Sequence, residues 1–230
     1  MRICLPPLLI ALALADPAGA ATRNFGVSSF DRIRVDGPFK VVVTTGVPPS
    51  ASASGTAAAM DTVAFDVQGR TLIVHTNRSS WGGYPGQSPG PVEVRIGTHE
   101  LTSAWLNGSG SLAIDKVKGL SFGLSVQGSG GVTIGHADVD QLSVGIIGSA
   151  TAVVGGRAGK MTATVRGVSS LDAASLATKD ATIGVEGAST VKANVSGSAK
   201  INGSGPATIT LTGGAACTAS LHGSASVSGC

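Results

Sequence analysis

Five segments of this chain recur about every twenty residues: Leu106-Asn-Gly-Ser-Gly110, Val126-Gln-Gly-Ser-Gly130, Ile146-Ile-Gly-Ser-Ala150, Val165-Arg-Gly-Val-Ser169 and Val185-Glu-Gly-Ala-Ser189. Each sets an apolar residue and one spacer before a Gly that opens a turn of small residues. Turn residues held at one phase of a fixed period mark a solenoid, in which each repeat hides its apolar face only by stacking on the next.

Between the turns, apolar residues alternate with Ser, Thr and Gly. The sets Phe122/Leu124/Val126, Leu142/Val144/Ile146, Met161/Ala163/Val165 and Ala181/Ile183/Val185 define one inward face. Leu112/Ile114, Val132/Ile134, Ala152/Val154, Leu171/Ala173 and Val191/Ala193/Val195 define another. Alternation of period two and the Val/Thr content point to strands. With 34 Gly and 13% charged residues, little remains for helices. The fold class expected is all-β: a parallel β-helix, or β-solenoid, with two strands per coil and Gly-Ser turns. Reversing direction in two or three residues needs positive φ, which assigns Gly108, Gly128, Gly148, Gly167, Gly187 and Gly197 to turns rather than to a ligand. The opposite corners carry charge where the chain should be most exposed, at Asp115-Lys116, His136-Ala-Asp138, Arg157-Ala-Gly159 and Thr178-Lys-Asp180, and read as a solvated face.

Three regions follow along the chain. Residues 1–20 have a positive start, an apolar run and Ala18-Gly-Ala20, the pattern of a secretory signal peptide cut after Ala20. Residues 21–100 hold strands at Ile33–Val35, Phe39–Thr45, Val63–Val67, Leu72–His75 and Val92–Ile96 without the Gly-Ser phase, and read as irregular coils that cap or open the solenoid. Residues 101–230 form the repeat body, whose tighter phase after Ile201 predicts a closing hairpin. Between two of the early strands, the segment Asn77–Pro91 is long for a loop and holds Trp81 and Tyr84 in an aromatic-poor chain. Such rings supply stacking area to sugars or proteins, which makes Trp81 and Tyr84 candidate binding residues; folding back over the end of the core is the competing role.

Removal of residues 1–20 loses Arg2 and Asp16, so the net charge stays at +3. That charge is weak and dispersed, and no basic cluster interleaves with aromatics, which argues against a nucleic-acid partner. No later segment has the length and apolarity of a transmembrane anchor. The two cysteines that remain, Cys217 and Cys230, suit a disulfide in an oxidising compartment such as the periplasm or the exterior.

The opening Phe30-Asp-Arg-Ile-Arg-Val-Asp-Gly-Pro-Phe-Lys-Val-Val-Val43, followed by the Gly-Ser-Gly turns, resembles the auto-transporter adhesin head GIN domain family over nearly the whole mature chain. The resemblance implies a β-helical superhelix shaped like pectin lyases but without their catalytic residues, and a role in cell adhesion. No membrane barrel or heptad stalk accompanies it in this sequence.

Residues for chemistry do not converge. Asp138-Val-Asp140 is the one close acidic pair, with its first member at a corner, and reads as a solvated turn. His75, His99, His136 and His222 lack zinc-ligand spacing, and Gly155-Gly-Arg-Ala-Gly-Lys160 is too short for a phosphate loop and is followed by Met161. Asn77, Asn107, Asn194 and Asn202 match the N-glycosylation pattern, but turn chemistry explains Asn before Gly. No catalytic residue, metal site or cofactor is expected. The reading is an exported, non-catalytic binding module for a surface glycan or protein. A carbohydrate-active enzyme on the same scaffold and a purely structural periplasmic protein are the alternatives.

Overall fold

Alternating buried and exposed residues run through nearly every segment, and the backbone answers with strands over 73% of the chain. The computed structural model describes residues 21–77 and 90–230. Its elements are β1 (Ala21–Phe25), β2 (Arg32–Asp36), β3 (Lys40–Thr45), β4 (Ser50–Gly55), α1 (Ala57–Asp61), β5 (Val63–Gln68), β6 (Thr71–Thr76), β7 (Glu93–Thr98) and β8 (Ser103–Gly108). The body follows with β9 (Ser111–Gly128), β10 (Gly131–Gly148), β11 (Thr151–Gly167), β12 (Ser170–Glu186), β13 (Thr190–Val195), β14 (Ser198–Ser204), β15 (Thr208–Thr212), β16 (Ala216–His222) and β17 (Ser226–Ser228). Together they wind a β-solenoid of about 6 turns.

In the body Ser111, Gly131, Thr151, Ser170, Thr190, Thr208 and Ser226 stack in register, all in parallel. Both inward sets read from the sequence are buried. The corners between them are not loops. Each of β9 to β12 is one strand of 17 or 18 residues that bends through the charged corner while still bonding to its neighbours. Most corner residues find a partner one coil away, with register shifts at Ile134/Ala137 and Val153/Gly156, so the bend sacrifices little backbone hydrogen bonding. It also turns Val117, Ala137, Ala158 and Leu176 inward as a third wall. This wall ends at a register shift between Ala173 and Ala177 against β13, where the coil tightens.

The turn glycines are fixed by stacking as well as by φ. Gly148 has φ +114, and a Cβ there would stand 2.5 Å from the Gly128 carbonyl oxygen of the coil before. Gly205, not Gly197, continues this column: Gly205 (φ +80) packs on Gly187, whereas Gly197 sits at the opposite corner beside Lys179. The closing hairpin is also replaced. β16 pairs in parallel with β14, and β15 with β13 and β17, because one more coil extends the apolar column through Ile209, Leu211 and the half-buried Cys217.

The N-terminal end is wound out of order. β2 lies between β6 and β8, and β3 between β7 and β9, so the first coil of the chain is the second in space. The segment that leads from β7 to β8 is clasped to the first coil: Thr98 Oγ1 donates to Phe30 O at 2.6 Å and Thr102 N to Asp31 O at 2.7 Å. Outside this, β4 runs antiparallel on β7, β1 on β4 and β5 on β6. The short helix α1, started by Thr56 Oγ1 accepting from Ala59 N at 3.1 Å, buries Ala59 and Met60 over the slot. One hydrophobic cluster runs from Phe30 to Ala215 through both halves.

Candidate functional site

The order β6-β2-β8-β9-β10 makes a front wall whose outward rows can be read from the register. Ala104 and Leu106 of β8 point inward, so Trp105 between them points out, half-exposed. In its row stand Ile73, Arg34, Trp105, Ser125, Gly145 and Thr164. The neighbouring row has His75, Asp36, Asn107 and Gln127.

Trp105 lies between two open hollows and lines both. On one side is a hollow of about 680 Å³ bounded also by Arg34, Asp36, Gln68, Ile73, Asn107 and Gln127. On the other, where Gly123 and Gly145 remove side chains, Ser103, Ser125, Ser143, Thr162 and Thr164 surround a shallower hollow of about 300 Å³. The arrangement is one indole face flanked by a polar pocket and a Ser/Thr floor.

The polar side is held in place by its own contacts. Arg34 Nε meets Asp36 Oδ2 at 2.9 Å, and Asn107 Nδ2 donates to Asp36 Oδ1 at 2.6 Å. Beside them, His75 Nε2 is 2.7 Å from Asp66 Oδ2 and Nδ1 is 3.0 Å from Thr76 O. Both ring nitrogens face acceptors, so only the imidazolium donates to both. The hydrogen bond to Asp66 raises the His75 pKa above its ordinary value, against a smaller opposing effect of burial. The hollow therefore offers amide donors and acceptors, an anchored guanidinium and a carboxylate around an apolar ring. It can bind a polyhydroxylated or polar ligand without making or breaking a bond.

Asp138, the corner member of the acidic pair, is held in an ion pair. Arg157 Nε and Nη2 donate to the two oxygens of Asp138 at 2.6 and 3.1 Å, and this pairing holds the Asp138 carboxyl below its usual range. A general acid needs the opposite shift. Asp180, which accepts from Ser198 N and Oγ at 3.0 and 2.6 Å, is likewise lowered.

Of the residues singled out in the sequence, Trp81 and Tyr84 lie outside the described residues. Cys217 and Cys230 are bonded through their sulfurs at the C-terminal end, with Cα atoms 5.7 Å apart. His75 enters the front-wall site, while His99 and His136 stay exposed on other surfaces. Asn107 is a site residue rather than a turn residue alone. Arg34 and Asp36 fall in the opening segment and Gln127 in a repeat, but no motif marks them or Trp105 as a site; the sign available for Trp105 is its outward position on an alternating strand.

No curated protein matches the sequence. Among solved structures, the fold is similar to a "putative adhesin" from Bacteroides fragilis, with TM-score 0.79, 16% identity and coverage of 92% of this chain and 97% of that one. A "putative lipid binding protein" from Parabacteroides distasonis has TM-score 0.71 and 19% identity, covering 91% and 96%. A "putative adhesin" from Parabacteroides merdae has TM-score 0.67 and 14% identity, covering 91% and 95%. At these identities the likeness is one of fold. The model of the family described as "Putative auto-transporter adhesin, head GIN domain" matches residues 29–215, most of the solenoid from the first coil to the last turns, and the chain belongs to that family.

Proposed function

We propose that this protein is an exported, non-catalytic, adhesin-like module that binds a surface glycan or protein through the front wall around Trp105. The observation that carries the reading is the half-exposed, outward-facing indole shared by two hollows, one edged by fixed amide and charged groups and one floored by Ser, Thr and Gly. An aromatic platform beside planar polar groups suits the apolar face and hydroxyl rim of a sugar, or a partner's side chains, at low entropic cost. Family membership favours adhesion, and the signal-like residues 1–20 favour export. The pairing of Asp138 with Arg157 weighs against the enzyme alternative. Trp81 and Tyr84, in the sequence between β6 and β7, remain candidate binding residues beside this reading.

A glycan and matrix-protein panel tests this. Trp105→Ala is expected to lower binding at least about tenfold while leaving the melting temperature within a degree or two, since a half-exposed platform contributes little to the core. Trp81→Ala/Tyr84→Ala in the same panel measures the share of that segment. Full binding by the Trp105 variant would move the site elsewhere.

A further inference from the structure

Packing does not explain three glycines of the front wall. Gly123, Gly145 and Gly184 stand at outward positions inside β9, β10 and β12, and none of them has a positive φ. A Cβ at Gly123 would meet nothing closer than 3.7 Å, and one at Gly145 or Gly184 nothing closer than 3.9 Å, which is ordinary contact. The strand register runs unbroken through all three positions, so no bulge calls for them. Glycine inside a strand weakens it, and where neither a bulge nor a bend requires it, it marks close approach by another molecule.

The bare positions lie along a trough. The larger hollow takes side chains from β6, β2, β8 and β9, the shallower one from β8, β9, β10 and β11, and Trp105 is common to both. The strands β6-β2-β8-β9-β10-β11 are consecutive in space. At about 4.8 Å per strand, the two hollows together extend about 24 Å across the strands, along the solenoid axis. Hydrogen-bonding groups on this path are uncommitted. Among the described residues, the Trp105 indole N–H, the Gln127 amide and the hydroxyls of Ser125, Ser143 and Thr164 have no protein partner. Charge, in contrast, is satisfied internally: Arg34 pairs with Asp36 and His75 with Asp66, and the floor from β9 to β11 carries none.

We propose that the ligand of the Trp105 site is a linear, uncharged polysaccharide that lies along the solenoid axis and fills both hollows, with one sugar ring on the indole and its neighbours over Gly123 and Gly145. The inference rests on the adhesin-like reading above and narrows it. A single terminal sugar would leave one hollow empty, whereas an extended chain uses both. Hydroxyl-rich units match the uncommitted hydroxyls and amides, and the paired charges offer a polyanion no unbalanced cation. A protein partner fits less well, because interface cores are rich in aromatics, Met and Arg and poor in Ser. Here one aromatic stands among Ser, Thr and Gly.

Titration calorimetry of the full chain with neutral linear oligomers of glucose, mannose, xylose and N-acetylglucosamine, from disaccharide to hexasaccharide, tests this. At least one series is expected to gain at least about tenfold in affinity over that range. Gly145→Thr adds bulk to the floor and a better strand former, so it is expected to keep or raise the melting temperature while removing most of that gain. Should it disturb the wall, Thr164→Arg carries the same expectation for the gain. Thr151→Arg, exposed on the other main wall, is the control and is expected to leave every affinity unchanged. Trp105→Ala separates this inference from the reading beneath it. Binding that needs Trp105 but ignores both chain length and the floor variants, or that is confined to a protein or a charged glycan, overturns the linear polysaccharide and leaves the site standing. Absence of any Trp105-dependent binding overturns both.

Discussion

His75 is the residue whose ionisation the front wall depends on most. Its pKa is raised chiefly by the hydrogen bond to Asp66, so the folded state holds its proton more tightly than the unfolded chain. A raised pKa contributes stability that is fully present below the ordinary histidine value of about 6.5 and is lost as pH rises through the higher folded value. Stability should therefore fall slightly on going from pH 6 towards pH 8, and His75→Gln should remove that part of the slope. Thermal melts of both proteins across the range check this. Exposure keeps the effect small, because solvent screens the pair. A slope unchanged by the substitution would assign the pH dependence to other groups.

At the scale of elements, the bent strands β9 to β12 make a distinctive prediction. A corner that was merely a solvated loop would tolerate truncation, but Leu176 at the corner of β12 is fully buried. Leu176→Ala should cost about 2–4 kcal/mol, comparable to a loss from either main wall, and urea unfolding measures it. The two main inward faces are legible in the sequence because alternation of period two encodes them directly. The third wall is not, since Ala137, Ala158 and Leu176 sit among charges and break the alternation. β4, written Ser-Ala-Ser-Ala-Ser-Gly, escapes notice because Ala carries a weak apolar signal, and α1 is too short for a helical period to show. The site follows the same logic. Trp105 is legible as an outward aromatic, but its polar neighbours are not: Arg34 and Asp36 reach it only through the pairing of β2 with β8, which local pattern does not specify.

For the whole molecule, the weak point among the described residues is the last coil, where Ala219 and Leu221 are exposed. The Cys217–Cys230 bond closes a loop with a sequence separation of 13 there, and such a loop is worth about 2–4 kcal/mol through the entropy it removes from the unfolded chain. Alkylation of the unreduced protein should leave Cys217 and Cys230 unmodified, and reduction should melt the C-terminal coil before the body. Two reactive thiols in the native sample would remove the bond from the account. Solenoids lose stability coil by coil through nearest-neighbour contacts, so fraying at this end need not unravel the front wall.

The displaced first coil has a consequence for how the chain comes to be assembled. Synthesis delivers β2 and β3 early, yet Ile33 must wait for Leu72 on one flank and Ala104 on the other. Coils of the body need only the one just completed, and each can settle as it emerges. The opening third has no such running start, because long closures precede any reward from its pairing. Its timing is set by the latest arrivals, β8 and the start of β9, which follow the crossing segment at Thr98–Thr102 that clasps Phe30 and Asp31. Evolution can therefore lengthen or shorten this protein by whole coils within the body, whereas loss of β2 would leave a gap inside the ladder.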